Sequence, residues 1–169
     1  MSQRGQDIEL AAKKYLNTNI TTVKDAIQGA QDIIAEWISE DQDLRDKIRQ
    51  NFRKFGIIMS KVVPKKKDEA EKFMDYFEFQ EALHKCPSHR YLAMMRGENE
   101  GLLKVGISVD DDRMLTMIDR KFIRSNGAEA DIIADAVADS YKRLIYPAIE
   151  TQIKNEFKEK ADDEAIKVF

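Results

Sequence analysis

Hydrophobic positions along this chain recur mostly three and four residues apart, the spacing of one face of an α-helix. Ile8, Ala11, Ala12 and Tyr15 set the pattern over residues 6–16. After a polar stretch, Thr22 and Asp25 resemble a capping box, and Val23, Ala26, Ile27, Ala30, Ile33, Ile34, Trp37 and Ile38 follow as one amphipathic face. Gly29 inside that face costs about 1 kcal/mol against alanine, which suits a close helix crossing. Ser39-Glu40-Asp41-Gln42 offers a second capping box, and Leu44, Ile48, Phe52 and Phe55 form the stripe of the next helix, which stops at Gly56. So short a connection predicts a helix–turn–helix arrangement, read as a packing corner because no groove-reading pattern accompanies it.

The period then changes. IIMSKVV at 57–63, bounded by Gly56 and Pro64, reads as a strand. Its expected partner is 102–109, where Leu103, Val105, Ile107 and Val109 alternate. Between them, Pro64–Lys67 is a polar break, Ala70, Phe73, Met74 and Phe77 mark a short helix, and Glu78–Cys86 reads as irregular. Pro87–Val105, PSHRYLAMMRGENEGLLKV, is the most tightly specified stretch. Ser88 is placed to cap a helix carrying Leu92 and Met95, and Gly101 suits a left-handed stop before the strand. Asp110–Asp112 put negative charge at the start of another helix, where it favours the macrodipole, with Met114, Leu115, Ile118 and Phe122 inward. Asn126–Gly127 ends it. Ile132, Ile133, Ala136, Val137, Tyr141, Leu144 and Ile145 continue as helix, Pro147 opens a new turn or kinks the old one, and Ile149, Ile153, Phe157, Ala161, Ala165 and Phe169 recur every four residues. The expected fold is mainly α: a multi-helix bundle with helix-turn-helix-like packing and one small two-stranded β-ribbon. A subdivision into a helical part, 1–56, and a helical core carrying the ribbon, 57–169, fits the pattern.

Composition agrees. Of 169 residues 43% are hydrophobic and 35% charged, while 7 Gly and 3 Pro argue against a loop-rich all-β or disordered chain. No apolar run is long enough to span a membrane, and MSQRGQDIEL lacks a signal-peptide core. A single cysteine excludes an internal disulfide. The expected location is cytoplasmic. The net charge of −3 conceals segregation. Acids dominate from Lys24 to Asp43 and again after Glu129, whereas Arg45, Lys47, Arg49, Arg53, Lys54, Lys61, Lys65, Lys66 and Lys67 crowd one run. Such a run can neutralise phosphates and release counterions, giving salt-sensitive, sequence-blind binding through Arg49, Arg53, Lys54, Lys61 and Lys65–Lys67. The competing readings are a solvated face or a complement to the acidic helix at 24–43. Phe52 and Phe55 sit in the run at core spacing and do not imply base stacking.

His84, Cys86 and His89 gather imidazole and thiol within six residues, and Glu78 or Glu81 could complete a zinc tetrahedron, although no second ligand cluster accompanies them. A Cys86–His89 nucleophile pair lacks any oxyanion-hole motif. RGENEG at 96–101 lacks the lysine and hydroxyl of a phosphate loop. The chain is expected not to be an enzyme, and no cofactor is expected.

GAQDIIAEWISED at 29–41, the YF at 76–77, PSHRYLAMMRGENEGLLKV at 87–105 and YPAIE…ADDEAIKVF at 146–169 resemble the N-terminal helical region of the Tex family of bacterial transcription accessory proteins. The resemblance runs from about Lys24 to Phe169. It implies a chain continuing beyond Phe169 into YqgF-like, helix-hairpin-helix and OB-fold RNA-binding domains, none of which lies in these residues. It further implies nucleic acid as a partner, mainly through those other domains, and a contact with the transcription machinery. The function expected is a non-catalytic architectural module that associates with nucleic acid. The alternatives are a protein-docking module and the small zinc site. Pro87, Ser88, His89, Arg90, Arg96, Gly97, Glu98 and Gly101 match the family motif and are expected to hold shape, whereas His84 and Cys86 depart from it.

Overall fold

A computed structural model describes residues 23–123 and 128–168. The first helix at 6–16, the Thr22 cap and the Asn126–Gly127 stop lie outside the described residues. The chain forms α1 (Val23–Ser39), α2 (Gln42–Phe55), β1 (Ile57–Val62), β2 (Glu78–Ala82), α3 (Ser88–Asn99), β3 (Leu103–Ser108), α4 (Asp111–Phe122), α5 (Ala128–Asp139) and α6 (Tyr146–Val168). Short 3₁₀ turns at Pro64–Lys66, Glu71–Tyr76 and Leu83–Lys85 join the strands to their neighbours, and a π-helical segment, Ser140–Ile145, links α5 to α6. The fold is mainly α, as its periodicity predicts.

The described residues divide into two units that interleave along the chain. One unit gathers the described residues up to Asp46 with Asp110–Pro147. Its α1 packs on α5 and on the π-helical segment, and α4 packs on α5. Ala26, Ala30, Ala35 and Ile38 are the buried residues of α1. Small side chains let backbones approach: the buried Ser140 hydroxyl donates to the Ala35 carbonyl at 2.6 Å. Ala35 lies off the expected stripe, and Trp37, expected inward, is 67% exposed. The π-turn has a local cause. Pro147 has no N–H and its ring would strike the Arg143 carbonyl in a regular helix. The Tyr146 N–H reaches back five residues to Tyr141 O, and the widened turn absorbs the conflict.

The cap of α2 also differs from expectation. Ser39 donates to Glu36 O, and Asp41 is the residue that caps, its Oδ1 accepting the Leu44 N–H at 3.0 Å. Arg45 closes the corner by donating to Ser39 O at 2.8 Å. Asp110 caps α4 through Arg113 N–H at 3.1 Å, so the acidic triplet at that start does what its position predicts.

The second unit gathers Lys47–Val109 with the described residues from Ala148 onward. Its sheet has three strands in the order β2-β1-β3, all antiparallel, where two were expected. The missed strand is EFQEA. Its inward positions are Phe79 and Glu81, and an acid on the buried side hides the alternation that marks a strand. Glu81 sits there because Arg90 pairs with it at 2.8 Å and lies over the Phe79 ring, 5.6 Å from its centre. The helix expected from Ala70 to Phe77 is a kinked 3₁₀ turn in which Phe73 is buried and Met74 exposed. Phe55, expected on the core stripe of α2, is 58% exposed. Gly56 does follow the last residue of α2, and the site is tight: a Cβ there would come 2.3 Å from the Phe52 carbonyl oxygen and 2.9 Å from the Ile107 side chain.

Candidate functional site: a signature helix, a capped sheet edge and a lysine groove

The family-motif residues organise the second unit around α3. Pro87 stands at the N-cap position, and no side chain caps this helix. The expected Ser88 cap is therefore corrected: Ser88 is already helical, and its hydroxyl is turned to Glu164 of α6. His89 and Arg96 point outward and Arg90 is taken up by Glu81. At the far end, Leu102 N–H bonds Gly97 O at 2.9 Å and Gly101 N–H bonds Glu98 O at 3.0 Å, a Schellman motif with Gly101 at φ +74°. The chain thereby reverses into β3 so closely that a Cβ on Gly97 would lie 2.4 Å from Leu103 Cδ1.

Glu98 is the centre of what this reversal builds. Its carboxylate accepts the Val105 N–H at 3.1 Å and pairs with Lys154 of α6 at 2.7 and 2.8 Å. Lys154 also donates to Val105 O at 2.9 Å, and Glu150 accepts the Ile107 N–H at 3.1 Å. Because β1 bonds the even-numbered residues of β3, these are the outward backbone groups of an edge strand, which would otherwise offer themselves to another chain. Three side chains thus finish the sheet where a fourth strand would lie. The Tyr91 hydroxyl secures α6 from below by donating to Lys154 O at 2.6 Å, and burial pushes that phenol well above its ordinary range. Spacing could not reveal Glu150 and Lys154, since their partners, backbone groups of β3 and the Glu98 carboxylate, lie far away in sequence.

The zinc reading does not hold in this geometry. Among the described residues no three His, Cys, Asp or Glu side chains are placed to hold a metal ion, and His84 and His89 are both exposed. Burial, and after it the Glu81 carboxylate, pushes the Cys86 thiol up to about 12, so the sulfur is protonated at neutral pH.

The basic run separates into two sets. Arg49 and Arg53 turn to α6: Arg49 donates to Gln152 at 3.0 Å, and Arg53 grips Glu156 with two bonds of 2.8 Å. These arginines tie α2 to α6. Lys54, Lys61 and Lys65–Lys67 are exposed, and of these Lys66 alone has an ion-pair neighbour among the described residues, Glu69 at 3.7 Å. Lys61 also acquires a companion outside the run. It stands directly opposite Lys104 across β1 and β3, with Met59 opposite Gly106 beside it. Together with Leu103, Val105 and Glu98 these residues line a groove of about 410 Å³. Neither Lys104 nor Gly106 carries a sequence signal of its own; only the strand register brings them to Lys61.

Taken together, these features define a helical module built round a small sheet whose one edge is finished by a Glu–Lys–Glu set. A family model described as Tex central region-like matches residues 3–169. The chain belongs to this family. It is 37% identical over 177 residues to the transcriptional accessory protein Tex of Neisseria gonorrhoeae, covering 100% of this chain and 23% of that protein. It is 40% identical over 171 residues to the uncharacterized protein YdcI of Bacillus subtilis, covering 97% of this chain and 24% of that one. Over 177 residues it is 30% identical to the human S1 RNA-binding domain-containing protein 1, covering 95% of this chain and 18% of that one. The chain therefore spans less than a quarter of the length of these relatives. Among the described residues no helix is long and apolar enough to cross a membrane.

Proposed function

We propose that this chain is a non-catalytic architectural module of a transcription accessory protein and that it associates with nucleic acid by contacting phosphates at Lys61 and Lys104. The observation that carries the reading is their register. Like charges directly opposite on adjacent strands destabilise a sheet, and an anion shared between them removes that cost. Glu78 flanks Lys61 on the other side without forming an ion pair with it among the described residues, so the lysine keeps its charge available. Lys54 and Lys65–Lys67 extend the same positive field. The names of the relatives, a transcriptional accessory protein and an RNA-binding protein, point the same way.

The test is fluorescence anisotropy of the 169-residue chain with labelled 20-mer single- and double-stranded RNA and DNA across a salt series. Binding should weaken steeply with salt. In a Lys61→Glu/Lys104→Glu double variant the slope of log K against log salt should fall by about 2, one per lost phosphate contact. Lys142→Glu, in the other unit, should leave the slope unchanged. Absence of binding at 25 mM salt, or an unaltered slope in the double variant, would refute the phosphate contact.

A further inference from the structure

The two edges of the sheet are treated differently. On β3 both outward groups of Val105 and the outward N–H of Ile107 are taken by Glu98, Lys154 and Glu150. On β2 the bonds Val62 N–H to Phe77 O and Leu83 N–H to Gly56 O fix the alternation, so Phe79 and Glu81 face β1. The N–H and C=O groups of Glu78, Gln80 and Ala82 then point away from the sheet, and among the described residues no hydrogen bond is made to them. β2 has no proline, no lysine and no bulge in its register, and its inward acid Glu81 is neutralised by Arg90.

We propose that the β2 edge accepts an extended segment of a partner protein, antiparallel to β2, with basic residues on one side and apolar residues on the other. Backbone pairing would supply affinity, and the alternating side chains specificity. The charge requirement comes from Asp68, Glu71, Asp75 and Glu78, all exposed and without an ion pair among the described residues. Two nearby cations are engaged, Lys72 with Glu100 at 3.0 Å and Arg90 with Glu81 at 2.8 Å, while Lys61 stands opposite Glu78 without an ion pair to it among the described residues. The apolar requirement comes from Phe79, half-buried on the inward side, edge-on to Tyr76 at 5.6 Å and covered by Arg90. A second copy of this chain would bring the same acids against themselves, which disfavours self-pairing.

The probe is the hexapeptide KVRVKI, blocked at both ends, added to the ¹⁵N-labelled 169-residue chain, with EVEVEI as the counterpart of opposite charge. The expected result is saturable shifts of the Glu78, Gln80 and Ala82 amide signals and at least tenfold slower hydrogen exchange there, with no response to EVEVEI. Gln80→Pro removes one outward N–H while sparing the bonds to β1, and should weaken binding at least tenfold. Glu78→Lys, which changes no backbone group, should weaken it about fivefold. The proposal is overturned if millimolar KVRVKI leaves these signals unmoved, or if both peptides act equally. It is also overturned if the same amides become protected with protein concentration alone as the chain sediments as a dimer.

Discussion

Two residues show how much can depend on a single atom or angle. Gly101 has open space round its missing side chain, so the only obstacle to substitution there is its φ of +74°. A left-handed conformation costs an L-residue about 1–2 kcal/mol, and a β-branched one is at the upper end or beyond it. Gly101→Val should lower the free energy of unfolding by about 2 kcal/mol, and Gly101→Asn by clearly less, measured by urea denaturation. Equal stability of Gly101→Val and wild type would show that the Schellman turn is dispensable. Asp41 is the second case. Burial raises its carboxyl, but the hydrogen bond and charge of Lys121, 2.7 Å away, and the Leu44 N–H outweigh it and hold the group below its ordinary 3.8. In acid the unfolded chain binds this proton first. The stabilisation is thus complete above the ordinary carboxylate value and fades as pH falls below it toward the lower folded value. Asp41→Asn keeps a capping oxygen and loses the charge. Its stability should therefore fall less steeply than wild type over that acid range, and parallel curves would dismiss the Lys121 pair as a contributor.

At the scale of elements, the contact between α3 and β3 sets the geometry of the second unit. Alanine is the better helix former, so on propensity alone Gly97→Ala would stabilise α3 by up to about 1 kcal/mol. The 2.4 Å approach to Leu103, itself buried, reverses the sign. Overpacking should cost about 1–3 kcal/mol, and Leu103→Val in the same chain should recover part of the loss, read in a double-mutant thermal series. Additive losses would place the strain elsewhere. Periodicity made most helices legible because they bury continuous stripes: Leu44, Ile48 and Phe52 of α2, and Ile149 and Ile153 of α6, are where their spacing puts them. It failed where burial did not follow hydrophobicity. The inner face of α1 includes Ala35, buried where the Ser140 hydroxyl bonds its carbonyl, whereas Trp37 is exposed. β2 went unseen because one of its inward side chains is an acid that Arg90 neutralises.

At the scale of the whole molecule, the sequence motif at 87–101 was legible as a signature but not as a mechanism. The structure gives Glu98 a backbone partner, and no spacing rule connects a helix residue to the edge of a strand. The basic run was legible as charge, yet its arginines and lysines do different things: Arg53 is held by Glu156, whereas Lys61 lies beside Lys104, a residue outside the run. The interleaving of the units was hidden for a related reason. Residues far apart in sequence meet, as when Gln31 donates to the Ile132 carbonyl at 3.1 Å. Composition shifts mark breaks along a chain and say nothing of such returns.

The finished edge of β3 carries a consequence for self-assembly. A sheet with two free edges is bivalent: each strand it gains presents another edge, and growth can continue into a fibre. Here Glu98, Lys154 and Glu150 terminate growth on one side by occupying the positions of the next backbone with charge. Among the described residues the sheet keeps one open edge. Whatever docks on β2, this sheet can cap a growing stack but cannot propagate one through itself.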